Sequence, residues 1–204
     1  MDMSPPPSGS GTRIRNPHAG HGRGFRSFKT SEPIVYTQRA SRDALIQATL
    51  DRHVTRISPT PKSQFVPVPD AYFTFRATFG GKDCLVALCE RSHGVTFVPS
   101  AGPQFGLALG NSHILSDPLV TTARTIWSHR HELVPPIFEL RLTRQLADKP
   151  DGAALIDLEA MFRDEPETWL GYLLALACRG TVHLGGIERL TDQTRVFCGP
   201  SLGG

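Results

Sequence analysis

One aspartate and two uncharged positions frame the chemistry in question. Between Val66 and Arg91 the chain reads VPVPDAYFTFRATFGGKDCLVALCER. Pro69-Asp70 opens a strand-like run, Gly80-Gly81 turns it, and Cys84–Leu88 follows as a second, apolar strand. This is the skeleton of a metal-dependent nuclease hairpin. Such a hairpin needs an acid on its first strand, then an acid and a lysine two residues apart on its second. Asp70 supplies the first acid, while the expected second positions read Ala87, Leu88, Cys89. Phosphodiester hydrolysis wants Mg²⁺ held by hard oxygens beside the phosphate, and a lysine to orient or deprotonate the attacking water. Alanine supplies no ligand, and a soft thiolate is mismatched to Mg²⁺. In that register hydrolysis should be lowered by many orders of magnitude. Asp43 or Glu90, with Lys82, offers a relocated set around Asp70, although a one-residue slip turns Glu90 to the other face.

The elements that must position these groups read as follows. Ser41–Asp51 has helical spacing, with Ser41 as its cap. Val54–Ile57 is a short strand. Ala71–Thr78 alternates, with Tyr72, Thr74, Arg76 and Thr78 on one face and Phe73, Phe75 and Ala77 on the other. Cys84–Leu88 has the composition of a central strand covered on both sides. Val95–Val98 and His113–Leu115 are further strands, and Gly102, Gly106 and Gly110 punctuate a loop without phosphate-cradling spacing. Ser116-Asp117-Pro118 starts a helix that runs to His131. Pro135-Pro136 marks a boundary. Beyond it, Ile137–Leu146, Ala154–Phe162 and Glu165–Arg179 are helices, and Thr181–Leu184 and Arg195–Cys198 form a terminal hairpin. The expected organisation is a basic tail (1–28), a mixed α/β unit with flanking helices (29–135), a smaller winged-helix-like unit (136–200) and a short end (201–204).

The net charge of +3 is unevenly placed. Residues 1–31 hold Arg13, Arg15, Arg23, Arg26 and Lys29 against Asp2 alone. A basic, Gly/Pro/Ser-rich arm either solubilises the chain or lies along nucleic-acid phosphates. No window suits a membrane span, and MDMSPPPSGS does not read as a secretory signal. The four cysteines (Cys84, Cys89, Cys178, Cys198) contain no C-x-x-C pair and sit in apolar context. They read as small buried hydrophobes in a reducing, cytoplasmic protein.

Several segments together resemble the TnsA-type transposon endonucleases, a branch of the restriction-endonuclease-like superfamily. Phe25–Pro61 looks like that family's opening block, and Pro69-Asp70 matches its Pro-Asp. Ser116–Pro136 looks like the helix closing its catalytic domain, and the C-terminal unit is similar to its winged helix. The resemblance implies a restriction-endonuclease-like sheet followed by a winged-helix domain. It also implies a catalytic set from which this chain departs. Ser41 stands before Arg42-Asp43 where the family has an acid, and Ala87 and Cys89 replace the acid-x-Lys or Gln-x-Lys. Asp70 is then a relic or a weak cation site, no cofactor is expected, and Mg²⁺ belongs only to a surviving activity.

Three further segments could carry chemistry or contacts. Trp127-Ser128-His129-Arg130-His131 cannot place both histidines on one metal from one helix, and Trp127 should pack on His131. Cys89 with His93 is a nucleophile pair only if the thiol is activated. The apolar helix 166–179, with acids at its start, suits a protein partner or a second copy better than a DNA groove. DNA contact would come from Arg13, Arg15, Arg23, Arg26, Arg39, Arg42 and Arg124, with Arg141, Arg144, Arg189 and Arg195 as the candidates in the C-terminal unit. Three readings follow: an inactive DNA-binding protein in a mobile-element or regulatory setting, an active Mg²⁺ endonuclease with relocated ligands, and a protein-interaction subunit that does not bind DNA.

Overall fold

The computed structural model describes residues 24–61, 68, 70–91, 94–99, 102–163 and 168–199. The basic residues Arg13, Arg15 and Arg23, together with Pro69, His93 and Glu165–Glu167, lie outside the described residues.

The fold is mixed α/β. Helix α1 (Arg39–Leu50) begins two residues before the expected cap, with Gln38 at the N-cap. Ser41 is therefore inside the first turn, where it is buried and its Oγ has no partner. Strands β1 (Val54–Pro59), β2 (Ala71–Phe79) and β3 (Lys82–Cys89) form an antiparallel meander, and Gly80 and Gly81 take positive φ at its tight turn. Glycine adopts that conformation at no steric cost. Strand β4 (Val95–Phe97) lies on the edge, and β5 (Phe105–Gly110) runs parallel to β3. The sheet order is β1-β2-β3-β5-β4.

Strand β5 corrects the expected loop over Gly102–Gly110. Its residues FGLALG alternate small and large. Gly106, Ala108 and Gly110 are buried, while Leu107 and Leu109 pack on the main core. The Phe97 ring lies over Gly106, in the space a Cβ would take. The segment expected as a strand, His113–Leu115, instead belongs to the short helix α2 (Asn111–Ile114) and the turn after it.

Helix α3 (Leu119–Ser128) passes into a 3₁₀ turn, His129–His131. Pro135 and Pro136 then form the N-cap and first turn of α4 (Pro136–Ala147), where a missing N–H costs nothing. The pair β6 (Ala153–Ala154) and α5 (Leu155–Met161) leads to α6 (Trp169–Arg179), which Gly180 ends in the left-handed region. Strands β7 (Val182–Leu184) and β8 (Arg195–Cys198) join β6 in a second sheet ordered β6-β8-β7.

One apolar cluster runs through the described residues on both sides of Pro135-Pro136. It includes Leu45, Ile57, Phe75, Val86 and Leu88 from the first part and Phe138, Leu142, Leu158, Phe162 and Leu176 from the second. Leu173 to Cys178 are all buried. The apolar character of α6 is thus spent inside its own chain, against α3, the 3₁₀ turn and β7, instead of facing outward to a partner. Of the four cysteines expected in the core, Cys84, Cys89 and Cys178 are buried and Cys198 is exposed, because it is the last residue of β8. All four are free thiols. Among the described residues, no helix is long and apolar enough to cross a membrane.

Candidate functional site

The β2–β3 hairpin determines what can meet Asp70. Ala71 pairs with Cys89, Thr74 with Ala87 and Phe79 with Lys82, with a bulge between Ala71 and Phe73. Asp70 therefore stands at the open end, beside Cys89. Lys82 and Asp83 stand at the Gly-Gly turn, where Thr78 Oγ1 donates to Asp83 Oδ1 at 2.8 Å. At about 3.3 Å per residue, an eight-residue strand separates the two ends by roughly 23 Å. Lys82 and Asp70 are not brought together.

Asp70 is exposed and adopts φ 62°, the only positive φ of a non-glycine among the described residues. Aspartate tolerates the left-handed region better than most side chains. The turn it makes is closed by the Ala71 N–H donating to the Val68 carbonyl at 3.4 Å. Burial raises the Cys89 thiol above its ordinary value, and the neighbouring Asp70 carboxylate raises it further. A protonated thiol is neither a nucleophile nor a metal ligand.

Strand alternation explains the rest of this end. Cys84, Val86 and Leu88 point into the main core, and Leu85, Ala87 and Cys89 lie on the opposite face. Tyr72 reaches the start of α2, just past the end of β5. Its hydroxyl donates to Asn111 Oδ1 at 2.6 Å, and its pKa is raised by burial and then by Cys89 and Glu90. Glu90 is exposed just past the end of β3. The open end therefore gathers Asp70, Tyr72, Cys89, Glu90 and Asn111. A cleft of about 500 Å³ lies beside it, lined by Pro33, Pro59, Thr60, Val68, Tyr72 and Thr74 among others. Tyr72 and Asn111 were not expected here. They meet only because β5 lies parallel to β3, a pairing that local spacing does not reveal.

At this end Ala87 and Cys89 offer no oxygen to a hard cation, and Mg²⁺ wants several; the carboxylates there are Asp70 and Glu90. Among the described residues, no group of three or more His, Cys, Asp or Glu side chains is placed to hold a metal.

Asp43 is committed elsewhere. Its carboxylate is buried, and Arg124 of α3 grips both oxygens, with Nε–Oδ1 at 3.0 Å and Nη2–Oδ2 at 2.5 Å. This bidentate pair pins α1 to α3 and keeps the guanidinium charged. Arg124, expected on DNA, has its fork occupied by Asp43. Arg42 is half-buried, while Arg26 and Arg39 are exposed.

The aromatic–histidine run also differs from expectation. Trp127 stacks on Phe25 of the lead-in at 5.2 Å, and Arg130 lies over its ring at 5.6 Å. His129–His131 tighten into 3₁₀ geometry after the helix. His129 Nδ1 lies 2.7 Å from Glu132 Oε1.

A second cavity, about 430 Å³, opens between α1, the sheet and the loop after β7, with Phe75, Val86, Leu107, Leu119 and Ile187 among its walls. Its walls are mainly apolar, with Gln47, Asp51, Arg52, His53 and Glu188 also lining it, and Asp70, Cys89 and Glu90 are not among them. No protein-family model, no curated protein and no solved structure matches the chain.

Proposed function

We propose that this chain is a DNA-binding protein built on a restriction-endonuclease-like unit that has lost its hydrolytic set, followed by a winged-helix-like unit. It would act in a mobile-element or gene-regulatory setting, as the TnsA-type resemblance implies. Three features support the reading. A helix precedes an antiparallel meander whose third strand runs parallel to β5. Asp70 marks the start of β2. The order α4-β6-α5-α6-β7-β8 with sheet order β6-β8-β7 is that of a helix–strand–helix–helix–hairpin wing.

The observation that carries the loss of hydrolysis is the pairing of Ala71 with Cys89. It sets a buried thiol beside the aspartate, where an ammonium would be needed. The cationic side chains available for phosphate are Arg26, Arg39 and Arg42, with Arg13, Arg15 and Arg23 in the arm. Arg39 and Arg42 lie in the first turn of α1, whose dipole adds to their charge.

Fluorescence anisotropy with a labelled duplex tests this. With six phosphate contacts, affinity falls by about 10³ between about 50 and about 200 mM salt, with little dependence on sequence. Replacing Arg26, Arg39 and Arg42 with alanine lowers the salt slope by about 3. A Kd insensitive to ionic strength overturns the reading, and no binding at low salt points to a protein-interaction subunit. Supercoiled DNA incubated with Mn²⁺ stays intact. Nicking abolished by Asp70→Ala would establish the active-endonuclease alternative, with Asp70 and Glu90 as the carboxylates at the same strand end.

A further inference from the structure

Three of the most exposed apolar side chains are close neighbours in sequence. Leu133, Ile137 and Leu140 are 89%, 63% and 62% exposed, and they fall within eight residues of sequence. On α4, Phe138, Leu142 and Leu146 face the core. Ile137, Leu140 and Arg144, at i, i+3 and i+7, lie on the opposite face. Leu170, 38% exposed, precedes the Gly171 against which the Glu132 carboxylate packs, so the patch extends toward the start of α6. Single exposed apolar residues need no explanation, but a contiguous set rimmed by charge marks an interaction surface.

Helix α5 carries the complementary surface. Leu155 and Leu158 are buried, with Phe162 following them into the core. Ile156 (46% exposed), Asp157 and Ala160 face outward, flanked by Glu159 and Met161 (38% exposed). One surface thus combines aliphatic side chains with a cation, and the other combines them with an anion, Glu159, because Asp157 is two residues away on a different side of the helix. Among the described residues, none of Arg144, Asp157 and Glu159 takes part in an ion pair.

We propose that the occupant of the α4 face is a second copy of this chain, which docks through its α5 face. Leu140 and Ile137 would cover Ile156 and Ala160, and Arg144 would meet Glu159. Each copy carries both faces, so in a two-fold arrangement the contact would be made twice and the pair would close without leaving a free α4 face. Apolar burial would supply the affinity, while the charges fix the register and exclude the alternatives of α4 on α4 and α5 on α5, where like charges meet. This assignment is independent of DNA binding and of the fate of the hydrolytic site. It moves the expected partner surface from α6, which the fold buries, to the two helices before it.

Sedimentation velocity on the full chain, over a concentration series and at two salt concentrations, tests the proposal. The expected result is a reversible monomer–dimer equilibrium. Arg144→Glu and Glu159→Arg each weaken the dimer by about tenfold or more, and the double reversal recovers most of the loss, because the pair is restored with its signs exchanged. Leu140→Ser and Ile156→Ser weaken it by a similar factor without altering charge. All four side chains are exposed, so far-UV circular dichroism should match the parent. A chain that is monomeric throughout, a dimer indifferent to these substitutions, or a double reversal that stays as weak as the single ones overturns the assignment.

Discussion

Asp43 and Asp70 are the two aspartates that short motifs single out, and the fold treats them in opposite ways. At the α1–α3 seam, Asp43 is buried and both its oxygens are held by Arg124. At the open end of the β2–β3 hairpin, Asp70 is exposed on a left-handed turn with a thiol for its neighbour. The first carboxylate is a structural tie. The second makes no ion pair among the described residues and owes its place to backbone conformation. A carboxylate's role therefore follows from which elements converge on it, not from its place in a motif. The Arg42-Asp43 pair is half of a clamp whose other half lies 81 residues away.

The largest effect that would break this contrast is at the seam. Asp43→Ala leaves a guanidinium partly buried without its counter-ion, and such losses cost about 3–5 kcal/mol. Replacing both partners with apolar residues of similar volume, Asp43→Leu with Arg124→Met, should recover most of the loss. Urea unfolding of the single and double variants measures both. A cost for Asp43→Ala under about 1 kcal/mol, the range of an exposed ion pair, would mean that the seam is not a tie.

Lys29 sharpens the same comparison, because it is a second buried charge with a structural duty. Its Nζ donates to the Asp51 carbonyl at 2.6 Å and to the Ala48 carbonyl at 3.5 Å, closing the C-terminal end of α1. Lys29→Ala should cost about 1–3 kcal/mol through the lost donors. Burial lowers its pKa from 10.5 to about 8, although Asp51 opposes the shift. Between those values the unfolded chain holds more protons than the folded one, so stability rises with pH from about 8. The buried thiols act in the opposite sense. Cys84 is pushed up to about 11 and Cys178 to about 12, so the folded chain retains protons that the unfolded chain loses above 9. The Lys29 contribution is cleanest from pH 8 to 9, and Lys29→Met should flatten the slope there. An unchanged slope in that variant would show that the rise has another source.

Much of the backbone was legible because its signals are local. Alternation located β2, a continuous apolar run located β3, and 3.6-residue spacing located α1, α4 and α5. Strand β5 was missed because Gly106 and Gly110 read as loop punctuation, whereas they are the small members of an alternating strand crowded by Phe97. The open end was half legible. Asp70, Ala87 and Cys89 were placed by counting along the hairpin, and the observed register seats Cys89 one residue from the position opposite Asp70. Tyr72–Asn111, Asp43–Arg124 and Trp127–Phe25 were not legible, since each joins residues that only the tertiary fold brings together.

The smallest expected effect belongs to Asp70. A left-handed non-glycine residue gives up about 1–2 kcal/mol, less for aspartate, and glycine adds chain entropy worth roughly 0.5–1 kcal/mol to the unfolded state. Asp70→Gly should therefore shift stability by under about 1 kcal/mol, and upward if the turn is the whole of the residue's role. DNA affinity at low salt should hold or rise slightly, because a negative charge leaves the face that phosphate would approach. Urea unfolding and anisotropy on the same variant read both quantities. A loss of several kcal/mol would make Asp70 a structural tie like Asp43. A rise in DNA affinity with Mn²⁺ in the parent that the variant lacks would make its carboxylate a cation ligand after all. Either result would erase the distinction between the two aspartates, and only unchanged binding with a small gain in stability leaves Asp70 as the remnant of a site whose other members are an alanine and a thiol.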